Sequence, residues 1–214
     1  MGTRTHLVWD WNGTLLNDLQ LVVEATNAAF ASVAGPAVTP DEHRRHFRRP
    51  ISEYYAQVLD RAVDADEFSV LDRIFHDAYR DGLTSVALAA DAAEAMREWG
   101  PHQSLLSMWF HTELVPVVER YGLTSQFLRV DGLPHEVGGG LKSAYLVSHL
   151  AALGIDGADV VLIGDSLDDA DAAHSVGGAV VLYTGGFTDP DRLRASGLPV
   201  ADSLTDAVRL AKRC

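Results

Sequence analysis

Cysteine is nearly absent from this 214-residue chain, which carries one, Cys214, at its last position. An intrachain disulfide and a cysteine-rich metal cluster are thereby excluded. Long apolar runs are also missing: none approaches the ~20 residues that a membrane-crossing helix needs. No basic-then-apolar leader opens the sequence, so a cytoplasmic setting without a membrane partner is expected. Basic residues are few, with 17 Lys and Arg against 30 Asp and Glu and a formal charge of -13. That balance opposes extended contact with nucleic-acid phosphates, but it leaves room for one small anionic ligand. Nucleotide fingerprints are missing too, since neither GxxxxGK[ST] nor GxGxxG occurs, and ATP and NAD are not indicated. His46, His102, His111, His135, His149 and His174 show no HxH or HExxH spacing, which gives zinc hydrolysis no support. Met1-Gly2 is followed by His6 where myristoylation expects a small hydroxyl residue. Oligomeric state stays open between monomer and dimer.

What is present is a globular composition, 47% hydrophobic and 22% charged. The run His6-Leu7-Val8-Trp9-Asp10 reads as a strand entering a turn at Asn12-Gly13-Thr14. Helical spacing follows from Leu15 to Phe30 and closes at Gly35-Pro36. Between Thr39 and Asp81 every periodic segment is helical, beginning with a threonine cap and Pro40 at the first helical position. After Gly82 the apolar runs SLLSMWF, ADVVLIGD and AVVLYTGG alternate with helical segments, and SLTDAVRLAKR is expected to end the chain as a helix. Strands that lack polar alternation fit a mainly parallel sheet covered on both faces. The expected fold is α/β and Rossmann-like, with residues 1–16 and 83–214 as the core domain and 17–82 as an inserted helical cap. Gly138-Gly139-Gly140 marks an adaptable loop.

In an open parallel sheet, ligands sit beyond the carboxyl ends of the strands. Asp10, Ser107 and Asp165 are expected there, with Asp168 and Asp169 close behind. Carboxylates held together repel one another unless a cation neutralises them, and hard oxygen ligands of this kind suit Mg²⁺. Lys142 can supply a point charge to a phosphoryl oxygen or to the nucleophile, and Ser107 a hydroxyl. Backbone N–H groups of Trp11, Gly13 and Thr14 can cradle anionic oxygens. These parts together make a phosphoryl-transfer site for a small phosphorylated substrate.

The sequences DWNGTL, the Ser107 strand, Lys142 and GDSLDD resemble, in order and spacing, the four motifs of the haloacid dehalogenase superfamily of phosphatases. The helical segment is similar to the small cap that phosphoglycolate-phosphatase-like members insert after motif one. The resemblance implies that Asp10 attacks phosphorus to form an aspartyl-phosphate that water hydrolyses. It also implies that Asp10, the backbone carbonyl of Asn12 and Asp165 hold Mg²⁺, with Asp169 ligating through water or orienting its neighbours and Asp168 beside the site. One position departs: the family usually reads D-x-D, and here Asn12 stands where the second acid moves a proton. Loss of general acid–base help costs ~10²–10⁴-fold in rate. A slow phosphatase, a substrate with a good leaving group such as an aryl or acyl phosphate, a phosphotransfer or phosphonate activity, and a non-catalytic phosphate- or partner-binding protein are all compatible with it.

Within the cap, Arg44, Arg45, Arg48 and Arg49 form either a solvated face or, at Arg48 or Arg49, a lid over the mouth that meets a substrate anion. Trp9 is expected in the core and Tyr55 inside the cap, while Trp11 is the best candidate to stack on a substrate ring, the alternative being that its backbone N–H faces phosphate and its ring points elsewhere. Gly185-Gly186 reads as a turn beside the site. Cap motion would hinge near Asn17-Asp18 and Gly82-Leu83.

Overall fold

A computed structural model describes residues 4–134 and 141–214. Met1-Gly2, His135 and Gly138–Gly140 lie outside the described residues. Six strands form one parallel sheet in the order β3-β2-β1-β4-β5-β6. They are β1 (His6–Trp9), β2 (Gln103–Phe110), β3 (Val130–Leu133), β4 (Val160–Gly164), β5 (Ala179–Tyr183) and β6 (Val200–Ala201). β1 lies at the centre, with Trp9 paired to Leu105 of β2 on one side and to Ile163 of β4 on the other. The strand order reverses there, which opens a crevice at the carboxyl ends of β1, β2 and β4.

Side chains alternate along each strand and feed two cores. Leu7, Trp9, Leu105, Val161 and Ile163 pack into one. The other takes Val8, Leu106, Leu162 and Val180. The first is covered by α5 (Ala92–Trp99), α6 (His111–Arg120) and α10 (Leu204–Ala211), and the second by α7 (Ser143–Leu153), α8 (Leu167–Ser175) and α9 (Pro190–Ala195). The apolar runs therefore make a sheet buried on both faces, as expected.

Between β1 and α5 lie α1 (Leu19–Ala31), α2 (Pro40–His46), α3 (Ile51–Val58) and α4 (Ala65–Gly82). Of these, α1, α3 and α4 share a third cluster that includes Val23, Phe30, Tyr54, Tyr55 and Leu71. α2 begins with a capping box, in which Thr39 accepts from the Glu42 N–H and the Glu42 carboxylate accepts in return, with Pro40 at the first helical position. One boundary needs correction. α1 starts at Leu19 rather than Leu15, because the fully buried Leu15 and Leu16 belong to a turn whose backbone pairs with residues 87–89: Asn17 N donates to Ala87 O and Ala89 N to Leu15 O. Among the described residues no helix is long and apolar enough to cross a membrane.

Candidate active site

Asp10 follows the last residue of β1, and its N–H is held by Ile163 O of β4 at 2.9 Å. Asp165 follows β4, while Asp169 sits in the first turn of α8, where it closes a capping box with Ser166. Asp10, Asp165 and Asp169 are all buried and bring one carboxylate oxygen each within 4.8 Å of the others. Lys142, immediately before α7, reaches Asp10 Oδ1 at 2.5 Å and also donates to Asp169. Thr14 Oγ1 donates to Asp10 Oδ2 at 3.2 Å.

Burial pushes the Asp10 carboxyl up to about 6, with Lys142 opposing and Asp169 adding to the rise. Asp165 is raised well above the usual carboxylate range by burial and by the charges of Asp10 and Asp169. Burial works against the Lys142 charge, but Asp10 and Asp169 hold its pKa above the ordinary lysine value. Three buried carboxylates with one ammonium leave a site that is electron-rich and short of positive charge. Its oxygen donors suit a hard divalent cation.

Glycine makes room for this packing. Gly13 has φ +73°, and a Cβ there would lie 2.5 Å from Asp165 Oδ2; at Gly186 it would lie 2.1 Å from the same oxygen. Asp165 is thus wedged between two loops and takes the Phe187 N–H at 2.5 Å. Gly185-Gly186 is a turn beside the site, and Arg44 locks it by donating to Gly186 O at 2.7 Å and to Gly185 O at 3.0 Å.

Asn12 is held at three points. Its Nδ2 donates to Asp18 Oδ2 and to the Tyr79 hydroxyl, both at 2.8 Å, and its Oδ1 accepts from Ser107 Oγ at 3.1 Å. Ser107 lies where the β2–β3 register slips, between Leu106 and Phe110. Asp18 is fully buried and also accepts from Gly13 N at 2.7 Å and the Tyr79 hydroxyl at 2.7 Å. Burial raises Asp18 to about 6 despite those three donors. Asp18 was legible only as a hinge residue. It ties the entry of the helical segment to its exit, since Tyr79 lies in the last turns of α4.

Above the carboxylates a cavity of roughly 120 Å³ is lined by Asp10, Asn12, Lys142, Asp165 and Asp169 on its floor. Its walls come mostly from α1–α4. Arg49 lines it and lies 3.8 Å from Asp168, whose carboxylate accepts the Lys142 N–H at 3.1 Å. Asp168 therefore lines the cavity rather than standing beside it. Arg48 is exposed and bonded to His46 O. Arg44 is no free solvated side chain, given its bonds to residues 185 and 186. Trp9 is core, as expected, with its ring N–H on Gln103. Trp11 requires correction: it is fully buried and packs against Tyr121 outside the cavity, so its ring cannot stack on a substrate in this arrangement. The Gly13 N–H is taken by Asp18, and the Thr14 N–H by Trp11 O at 3.2 Å. Those two residues build the floor from behind. His43, Asp72, His76 and Tyr79 line the cavity and were not singled out by spacing.

The HAD-hydrolase-like family model matches residues 138–207. The chain is 28% identical over 211 residues to a plasmid-encoded phosphoglycolate phosphatase of Cupriavidus necator, covering 95% of this chain and 90% of the relative. It is 24% identical over 194 residues to a phosphoglycolate phosphatase of Mesorhizobium japonicum, covering 87% and 86%. The chain is thus similar to haloacid dehalogenase-like hydrolases. Its fold is shared with a haloacid dehalogenase-like family protein from Streptococcus pneumoniae, at TM-score 0.82 and 17% identity over 98% of this chain and 99% of that one. A hydrolase from Pseudomonas syringae gives TM-score 0.77 and 15% identity over 97% and 98%.

Proposed function

We propose that this protein is a magnesium-dependent phosphatase of small phosphate esters that works through a phosphorylated Asp10. The observation that carries the reading is the Asp10 carboxylate on the cavity floor, held between Lys142 and Thr14 and converging with Asp165 and Asp169. The relatives named as phosphoglycolate phosphatases support the phosphatase class. Asp10, Asp165, Asp169 and the Asn12 carbonyl would hold Mg²⁺. When bound, the ion supplies the positive charge that the site lacks and polarises the phosphoryl group.

A carboxylate oxygen of Asp10 attacks phosphorus, and the bond from phosphorus to the leaving oxygen breaks with its electron pair on that oxygen. Water then attacks phosphorus, the bond to Asp10 breaks, and phosphate departs as the water's proton passes to solvent. Lys142 and Thr14 orient Asp10 for the first step and receive its carboxylate back after the second. Asn12 cannot carry the proton that a carboxylic acid at its position would. Its three hydrogen bonds hold it as a fixed polar wall, so a substrate whose leaving oxygen is stable as an anion is served best. We read residues 17–82 as a cap domain over the core of 1–16 and 83–214, excluding water during attack.

The test is phosphate release from phenyl phosphate with Mg²⁺ and then with EDTA. The account expects release that EDTA removes and that Asp10→Asn abolishes. Unchanged release by Asp10→Asn would overturn it.

A further inference from the structure

The cap half of the cavity has a chemistry of its own. On α4, Asp72, Phe75, His76 and Tyr79 follow at intervals of three, one and three residues, which places all four on one helical face. That face lines the cavity together with Phe47, Tyr54 and Phe187. The enclosure is therefore aromatic on several sides.

Its polar groups are unsatisfied in a specific way. His43 is 1% exposed, and its Nδ1 is joined to the Tyr54 hydroxyl at 2.8 Å, but its Nε2 is buried with no hydrogen-bond partner among the described residues. Burial, with the nearby Arg44 charge, lowers its pKa to about 3, so the ring is neutral. His76 pairs its Nε2 with Asp72 at 3.5 Å, while its Nδ1 is likewise buried and unpartnered among the described residues. A buried polar atom without a partner costs ~1–3 kcal/mol, and a ligand that supplies the partner recovers that loss.

The charge balance is equally selective. Five carboxylates line the cavity, from Asp10, Asp72, Asp165, Asp168 and Asp169, against two permanent cations, Lys142 and Arg49. Lys142 is engaged by Asp10 and Asp169, and Arg49 faces Asp168. Among the described residues Asp72 is matched only by the His76 ring. A second anion on the substrate would meet Asp72 without a free cation to receive it.

Resting on the phosphatase reading above, we propose that the substrate is an aryl phosphate, a phosphorylated phenol. Its ring would lie among the cap's aromatic side chains, and its far substituent, a protonated amine, would be received by Asp72 and His76. Asn12 points the same way from the floor. A phenolate leaves with its electron pair and is protonated by solvent at pKa ~10, so it needs far less help from an enzyme acid than an alkoxide does. Phosphoglycolate, with its carboxylate and alkoxide leaving group, fails on both counts.

The experiment compares kcat/KM for phenyl phosphate, tyramine O-phosphate, the O-phosphate of para-hydroxyphenylacetate, phosphoglycolate and acetyl phosphate, all with Mg²⁺. Tyramine phosphate is expected to exceed phenyl phosphate by about tenfold, which is a difference of ~1.4 kcal/mol. The carboxylate-bearing ring should fall about tenfold below phenyl phosphate, and phosphoglycolate lower still. In Asp72→Asn the ratio of tyramine phosphate to phenyl phosphate should collapse toward one. If phosphoglycolate, acetyl phosphate or the carboxylate-bearing ring is the best substrate, the substrate class is wrong and the phosphatase reading survives. Release from none of the five overturns the phosphatase reading, and this inference with it. The wild-type panel decides both points even if the variant fails to fold.

Discussion

Replacing Asn12 by Asp would restore the acid that the family usually carries, but the surroundings of residue 12 make that change costly. The Asn12 amide nitrogen lies 2.8 Å from Asp18 Oδ2. In Asn12→Asp a carboxylate oxygen takes its place, so two buried carboxylates meet where a donor met an acceptor. At an effective dielectric of ~20 the bare repulsion at this distance is about 6 kcal/mol. Proton sharing between the two groups limits that, since the pair holds one proton to higher pH instead. If the new carboxyl titrates near pH 7 rather than ~3.9, the stability lost is about 4 kcal/mol at pH 8 and about 1.5 kcal/mol at pH 5. The sign follows from the raised folded-state pKa. Stability held below pH ~4 is lost as pH rises through the shifted value, and Asp18, at about 6, already loses part of it in the wild type. For a chain of this size, 1 kcal/mol moves Tm by ~2–4 °C. Thermal unfolding should therefore show Asn12→Asp lower by ~8–16 °C at pH 8 and by only ~3–6 °C at pH 5. The double variant Asn12→Asp with Asp18→Asn exchanges donor and acceptor and should recover most of the loss. A Tm difference that does not change between pH 5 and pH 8 would refute the reasoning.

Three further outcomes follow from the same geometry. Because burial holds Asp10 at about 6 and raises Asp165 further, Mg²⁺ binding should release protons and tighten as pH rises through 6; calorimetry in buffers of different ionisation enthalpy measures this, and zero release would contradict it. Gly186→Ala places a Cβ 2.1 Å from Asp165 Oδ2, so Mg²⁺ affinity should fall by about tenfold and stability by ~1–3 kcal/mol, readable by calorimetry and urea unfolding. Lys142→Met removes the only cation among the described residues that is bonded to both Asp10 and Asp169, so metal-free protein should lose ~3–5 kcal/mol in urea unfolding, and added Mg²⁺ should recover part of it.

The parallel sheet could be read in advance because its strands are continuous apolar runs, which only a sheet covered on both faces accommodates. Asp10 and Asp165 were legible for the same reason, as acids ending such runs. The limits are specific. Leu15 and Leu16 have helical spacing, yet their backbone is paired with residues 87–89, a contact made across the entire helical insertion. Trp11 stands between site residues in sequence, but the turn directs its ring toward Tyr121. Asp18 reads in the sequence as a hinge residue, and its part in holding Asn12 depends on Tyr79 arriving from 61 residues away. The stripe at Asp72, Phe75, His76 and Tyr79 has visible helical spacing, but such a stripe ordinarily packs into a core. Only the arrangement of α1–α4 over the strand ends turns it into a cavity wall.

The central claim is that Asp10 becomes phosphorylated during turnover. Rapid acid quenching of the enzyme with phosphate-labelled phenyl phosphate and Mg²⁺, followed by mass analysis of peptides, tests it most directly. The expected product is a labelled peptide that carries the phosphoryl group on Asp10, is cleaved by hydroxylamine and is missing from Asp10→Asn. Turnover with no label on Asp10, or label on another residue, would contradict it.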